Sequence, residues 1–477
     1  MSNPTSNSPH SYFTTHHPLF PILPSKAHFY TTHTTNRLLL WTVLALASFD
    51  QDSNSATYFS LVDPVRRLAA DLYGPQSRSF KTMQALLLLC VWPFPFQQTI
   101  NDPSPMFCSL ATGIGYQLGL HRPRCRGDFD ENAVEGVESE GEEERTWWGC
   151  FVVNHCLALR LGVPSTISPA HALLSAASSD HPSAPPSLLI DLNLALLSKQ
   201  YTTLLGDDPS TPSGQRPDPG SLIHAFESQL AQLRSRFSGH WTAVAEISYY
   251  ALQLQVYSFS LCQSADHLTS DENNNNNTAA AQLIQAKALS AVVKLVSEAS
   301  KPDPDKKFWP AATKYCLVFA ACIGVSVAAD SSDLIVQISL LSAVKDAVVA
   351  LRGWSLFPRD QIARVAGHLS TAAARVEGGT AGAGKGKGKV KEVVRARMTA
   401  NIPYRVIWGA KHGRALSSRP NGVEGHVPQV STGEAMPAPE TGGYTPQQPI
   451  GMDAFEDVDD ANFTDIFLDW QQLLDLG

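Results

Sequence analysis

The sequence predicts an all-α fold, a multi-helical bundle with a disordered N-terminal leader and a disordered C-terminal tail. Three observations carry that prediction. Apolar residues recur at helical spacing over most of residues 36–376, and no segment shows sustained period-two alternation between hairpin turns. Hydrophobic residues make up 43% of the 477 positions, enough to fill at least one large core.

The elements follow in order. Met1 to Pro24 is rich in Ser, Thr, His and Pro and lacks the regions of a signal peptide, so residues 1–35 are expected to be a disordered or extended leader, His16 and His17 included. Asn36 to Ser48 reads as a buried helix, followed by helical patterns at Leu61 to Leu72 and Lys81 to Trp92. Pro93 and Pro95 end the latter, because proline lacks the amide donor and disfavours helix in the residue before it. Pro105 to Leu120 carries Leu110, Ile114 and Leu118 on one face, and an acidic loop from Asp128 to Glu144 leads into a helix from about Arg145 to Leu161. Negative charge at that end favours helix initiation.

Further on, Asp218 and Pro219 open the strongest helical stripe, Leu222, Ile223, Phe226, Leu230, Leu233 and Phe237. Trp241 to Gln263 and Ala279 to Ser300 are helical, with a flexible insertion near residues 271–279 between them. The pattern resumes at Phe308 to Ala329, Asp333 to Trp354 and Pro358 to Val376. The ordered helical domain is thus expected over 36–376. Residues 377–452, rich in Gly, Ala and Lys and then in Pro, Gly, Thr and Gln, are expected to be a disordered linker, with a short helix allowed at Val390 to Ala400 and some apolar contact at Ile402 to Trp408. The longest apolar runs, Leu38 to Ala47 and Tyr315 to Ala329, fall short of the roughly 18–20 residues that cross a bilayer, so no membrane partner is expected.

Charge is unevenly placed. Eight of the 44 acids lie between Asp453 and Asp475, where there is no Lys or Arg, and the remainder balances at 36 acids against 36 bases. A balanced body has no long-range field to attract a polyanion. Motifs for catalysis fail on chemistry. Gly379 to Lys385 has the spacing of a phosphate-binding loop, but Gly386 stands where Ser or Thr must hold magnesium. Gly113, Gly115 and Gly119 miss the dinucleotide spacing and read as sites of close helix packing. His121 reads as a capping residue. The eight cysteines, Cys90, Cys108, Cys125, Cys150, Cys156, Cys262, Cys316 and Cys322, lack zinc-ligand spacing and read as reduced core residues. No enzyme and no cofactor is expected.

Two tracts carry function by composition. Residues 453–477 alternate acids with Phe455, Phe463, Ile466, Phe467, Trp470, Leu473 and Leu474, an acidic-hydrophobic activation segment that would enter a groove on a coactivator or the general transcription machinery. The basic stretch of Lys385, Lys387, Lys389, Lys391, Arg395 and Arg397 is a candidate nuclear import signal, or equally a solubilising linker.

Three blocks in order, Lys81-Thr-Met-Gln-Ala-Leu-Leu-Leu-Leu-Cys-Val-Trp92, Leu118-Gly-Leu-His-Arg-Pro123 and Glu144-Arg-Thr-Trp-Trp-Gly-Cys-Phe151 through Leu161-Gly-Val-Pro164, resemble the middle homology region of fungal zinc-cluster transcription factors. The resemblance covers roughly residues 30–270 and looks closest to the branch regulating leucine biosynthesis, weak-acid resistance and secreted proteases. It implies a nuclear regulator, most simply an activator, whose helical core restrains or senses, with a homodimer allowed. Trp147, Trp148 and Phe151 are expected to fill the core, with a small-molecule pocket as the lesser alternative. Two departures stand out. Asn154 and His155 replace an Asp-Arg pair, a loss that Arg160 could repair. The family's six-cysteine, two-zinc module has no counterpart, since residues 1–80 contain no cysteine. Zinc is therefore expected only in an upstream cluster outside this sequence, and DNA contact only through such a module or a partner. The competing reading is a helical scaffold or co-regulator that binds a related factor without contacting DNA.

Overall fold

Short polar side chains set where the helices begin. The computed structural model describes residues 9–49, 56–72, 78–129, 137–178, 184–263, 275–356, 359–381 and 396–411, and among these lie sixteen α-helices and no strand. Asn36 accepts from the Leu39 amide at 2.9 Å to start α3 (Arg37–Ala47), and Ser79 accepts from the Thr82 amide at 3.1 Å to start α5 (Phe80–Val91). Asn36 Nδ2 also donates to Thr82 Oγ1 at 3.0 Å, so the two starts are locked side by side. Pro93 stops α5 as expected, and ten of its twelve residues are buried, which makes it the centre of the first half.

Around that centre α3 packs on α1 (Pro9–Thr15), α4 (Ala56–Ala70) and α5, while α5 packs on α6 (Ser104–Gln117) and α7 (Val137–Leu161). Trp147, Trp148 and Phe151 of α7 are buried, as the sequence suggested. A Cβ on Gly115 would stand 2.8 Å from the Trp147 ring, so the absence of a side chain lets α6 close on α7. His121 is no cap; its ring packs edge-on against Tyr116 and Phe129.

The leader expectation is corrected from residue 9 onward. Residues 9–15 and 26–32 are helices, the second being α2 (Lys26–Thr32), and Tyr12, His16, Phe20, Ile22, Leu23, Phe29 and His33 are buried. The segment climbs over α7, where a Cβ at Gly149 would meet Ile22 at 2.7 Å. Polar composition concealed this because the apolar residues come only in short pairs, Leu19-Phe20 and Ile22-Leu23 among them, between Ser, Thr, His and Pro; burial comes from contact with α7 and α3.

The acidic loop is corrected likewise. α7 starts at Val137, not Arg145, and Glu142 and Glu143 are buried inside it. Glu142 Oε1 lies 2.6 Å from His33 Nε2 and accepts from Gln84 Nε2 at 2.8 Å, while Glu143 pairs with Arg126. These carboxylates hold the helix to its neighbours rather than only favouring its start.

The second half was partly unforeseen. α8 (His171–Ser178) and α9 (Pro186–Gly206) carry no clear polar stripe; α9 packs on α7, α8, α10 (Gly220–Arg236) and α11 (Ala243–Gln263), so few of its faces stay wet. α11 joins α9 to α12 (Asn275–Ser300) and α13 (Ala311–Asp330). The insertion is therefore shorter than expected, since residues 275–279 are helical and 264–274 lie outside the described residues. Asp333 accepts from the Ile335 amide at 2.8 Å to start α14 (Leu334–Gly353), which packs on α12 and α13. α13 and α14 are long and apolar enough to cross a membrane by length and composition; in their most apolar 18-residue stretches 72% of α13 and 39% of α14 is buried within the protein.

Order does not end at residue 376. α15 (Gln361–Ala381) continues five residues further, and a turn at Met398–Ala400 followed by α16 (Asn401–Lys411) packs back on α13 and α15. Gly162, just past α7, sits at φ +69°, which favours glycine, and a Cβ there would stand 2.3 Å from the Arg397 carbonyl oxygen. The described residues up to Pro420 belong to one unit; the second, Asn421–Gly477, lies outside the described residues.

Candidate functional site

Prolines that end helices also build a cavity. After α5 the run Trp92-Pro93-Phe94-Pro95-Phe96 turns away from the helix, and before α13 Trp309 is followed by Pro310. Their rings, together with Tyr58 of α4 and Trp354 at the end of α14, line a space of about 90 Å³ that is open to solvent on one side. Trp309 and Trp354 approach with ring centroids 5.7 Å apart, and Tyr58 meets Phe94 edge-on at 6.0 Å. Trp92 Nε1 donates to the Phe308 carbonyl at 2.7 Å, which fixes one wall against the other. Arg66 closes the turn by donating to the Pro95 carbonyl at 3.0 Å.

Polar groups on the walls are few and oriented. Tyr315 donates to Gln361 Oε1 at 2.7 Å, and the Gln361 amide donates to the Phe96 carbonyl at 2.8 Å, tying α15 to the turn after α5. The Asp360 carboxylate accepts from Ser355 Oγ at 2.9 Å and from the Leu356 and Ala363 amides at 2.8 Å each. Lys314, in the first turn of α13, lines the same space. Burial pulls its pKa down to about 8, against partial support from the Asp360 charge. His16 completes the wall in the neutral form, since burial and then the Lys314 charge lower its pKa to about 3.

Sequence reasoning did not reach this site. Its cues were the two Trp-Pro junctions and the single lysine at the head of an apolar helix. The two junctions stand 217 residues apart, and nothing local says that they meet.

The sequence-derived functional residues fall elsewhere. Phe455, Phe463, Ile466, Phe467, Trp470, Leu473 and Leu474 lie outside the described residues, as do Lys385, Lys387, Lys389, Lys391 and Arg395. Arg397 is described, and its guanidinium is engaged: it donates to the Leu161 carbonyl at 3.0 Å and lies 4.0 Å from the Tyr404 ring centroid.

The two departures in α7 also find places. Asn154 holds the loop after the helix, accepting from Ser165 Oγ at 2.8 Å and the Thr166 amide at 3.1 Å and donating to Thr166 Oγ1 at 2.7 Å. His155 is buried, and burial followed by the Lys199 charge lowers its pKa to about 3. Arg160 does not compensate within the helix; it pairs with Asp102 and covers the Tyr315 ring at 4.6 Å. Among the described residues no group of three metal-ligating side chains converges, and Cys125 alone of the eight thiols is exposed.

Residues 10–195 match the fungal specific transcription factor domain. The chain is similar to SEF1 of Eremothecium gossypii, 30% identical over 246 residues, covering 51% of this chain and 23% of that protein. It is similar to SEF1 of Kluyveromyces lactis, 29% identical over 283 residues, 58% of this chain and 25% of that protein. It is also similar to the transcriptional regulatory protein SEF1 of Candida albicans, 26% identical over 294 residues, 61% of this chain and 31% of that protein. The chain thus spans under a third of these relatives' length. No solved structure matches it. The likeness to fungal transcription regulators thus rests on residues 10–195 and on relatives of which this chain spans under a third.

Proposed function

We propose that this chain acts in the nucleus as an activator of transcription without enzymatic activity, its helical body restraining or sensing and residues 453–477 activating. The observation that carries this is the domain match over residues 10–195 in a chain that also holds an acidic, aromatic-studded segment. Acids keep such a segment hydrated when free, and Phe463, Ile466, Phe467, Trp470, Leu473 and Leu474 would form one apolar face when helical in a coactivator groove. DNA is contacted through a zinc-cluster module outside these residues or through a partner, since no tract here has the thiols to hold two zinc ions. A homodimer is compatible with this reading, and no membrane is involved. The assignment to the branch controlling leucine biosynthesis, weak-acid resistance and secreted proteases is part of the proposal and rests on the three sequence blocks alone.

Fusion of residues 451–477 to an unrelated DNA-binding domain tests the activating part. Reporter expression that falls at least about fivefold on Phe467→Ala plus Trp470→Ala supports it. No expression, or no loss in the double variant, removes it and favours the helical scaffold that works through a related factor.

A further inference from the structure

Gly113, Gly115 and Gly119 read from their spacing as sites of close helix packing, and the body accounts for two of them. A Cβ on Gly115 would strike the Trp147 ring, and Gly119 sits at φ +72° with Phe129 against it. Gly113 is different: among the described residues nothing lies within 4 Å of the Cβ it lacks. It stands inside α6, where glycine is less favourable than alanine. No packing within the described body uses that bare backbone.

The same side of α6 is short of charge. Between Thr82 and His121 the sequence holds a single Asp, Glu, Lys or Arg, and that residue, Asp102, is buried and paired with Arg160. The exposed positions from residue 97 to residue 117 therefore carry no charge, and they include Ile100 at 86% exposure, Met106 at 71%, Leu110 and Tyr116. Met106, Leu110 and Gly113 fall on one stripe of α6, with Ser109 and Tyr116 along its edge. Charge depleted while Met and Tyr are retained is the composition of an interface core.

Charge also decides what covers it. A partner held by ion pairs, such as an acidic segment, finds nothing here to grip. A second copy of the same face needs no such grip. About a twofold axis each group meets the same surface, so a charge near the axis would face its own like, and this face has none. α14 shows the contrast: it exposes Leu334, Ile335 and Ile338, but Lys345 and Asp346 are exposed on the same helix.

We propose that α6, together with residues 97–101, is the surface through which two copies of this chain pair about a twofold axis. In that pairing the two α6 helices cross antiparallel with the axis between Ser109 and Gly113. Each Ser109 then lies over the bare backbone of the second copy's Gly113, and each Met106 meets the second copy's Tyr116. Small residues at the centre let the helices approach, and large ones close both ends. A standard interface takes roughly 800 Å² from each copy, more than one helix stripe supplies, and the exposed uncharged run at 97–101 extends it. Pairing through α6 is independent of the activating role of residues 453–477 and is measured without a reporter.

Sedimentation velocity on the full chain, between about 1 and 100 μM, is expected to show a dimer. Gly113→Lys sets two ammonium groups near the axis and should weaken the dimer at least about tenfold. At dilutions where the chain is single, its melting temperature should hold or rise, because lysine is the better helix former in open space. If Gly113→Lys does not fold, Met106→Lys, at a position 71% exposed, serves in its place. Ile335→Lys on α14 should leave the dimer within about threefold. In a Cys125→Ser background, which lacks the exposed thiol, a short bis-maleimide should join copies carrying Gly113→Cys and not copies carrying Ile338→Cys. A chain that stays single up to about 100 μM, a dimer untouched by the α6 variants or equally disrupted by Ile335→Lys, or equal cross-linking at the two positions overturns the proposal.

Discussion

Trp92 and Phe308 are joined across 216 residues by one buried hydrogen bond, the indole Nε1 donating to the Phe308 carbonyl at 2.7 Å. It links the end of α5 to the lead into α13, so the region matched to the family and the helices beyond it share a wall.

Trp92→Phe removes the donor, leaves a buried carbonyl unsatisfied and opens a small void. The expected cost is about 1–3 kcal/mol. Urea unfolding followed by far-ultraviolet circular dichroism should show one transition at a lower midpoint; two separated transitions would mean that the halves fold independently.

His33 and Glu142 make the same point at the other end of the chain. Their 2.6 Å contact is buried on both sides, and Gln84 shares the carboxylate. Glu142→Ala should cost about 1–3 kcal/mol, because it leaves His33 Nε2 buried without its partner while Gln84 Nε2 keeps Thr146 and the Ile22 carbonyl. Removing residues 1–35 should destabilise the chain at least as much, whereas a dispensable leader would leave the unfolding midpoint where it was.

Lys314 stores a cost that a variant can release. Its folded pKa of about 8 lies below the ordinary lysine value of about 10.4, so between those values the unfolded chain binds more protons and stability rises with pH. Below pH 8 the whole cost is present. Lys314→Met should therefore raise the melting temperature at pH 7 and flatten the gain in stability between pH 8 and about 10, both readable by thermal denaturation.

Arg397 separates two roles that composition had merged. Arg397→Ala loses the bond to the Leu161 carbonyl and the stacking on Tyr404, at an expected cost of about 1–2 kcal/mol. Neutralising Lys385, Lys387, Lys389, Lys391 and Arg395 together should leave the melting temperature unchanged and release a fluorescent fusion from the nucleus. A fusion that stays nuclear shows that this stretch is a linker.

The sequence by itself determined the all-α class and the punctuation of its helices: the caps at Asn36, Ser79 and Asp333 and the stop at Pro93 are signals carried within a few residues of where they act. It also carried the resemblance to fungal regulators, through blocks whose side chains are buried on α5 and α7. Only the tertiary structure decided that residues 9–35 belong to the body, that Glu142 and Glu143 are partners rather than a solvated run, and that Trp92, Trp309 and Trp354 line one space. Helix propensity and capping are local energies, whereas burial and charge pairing depend on which surfaces meet, and here the meeting partners stand as far as 109 and 216 positions apart.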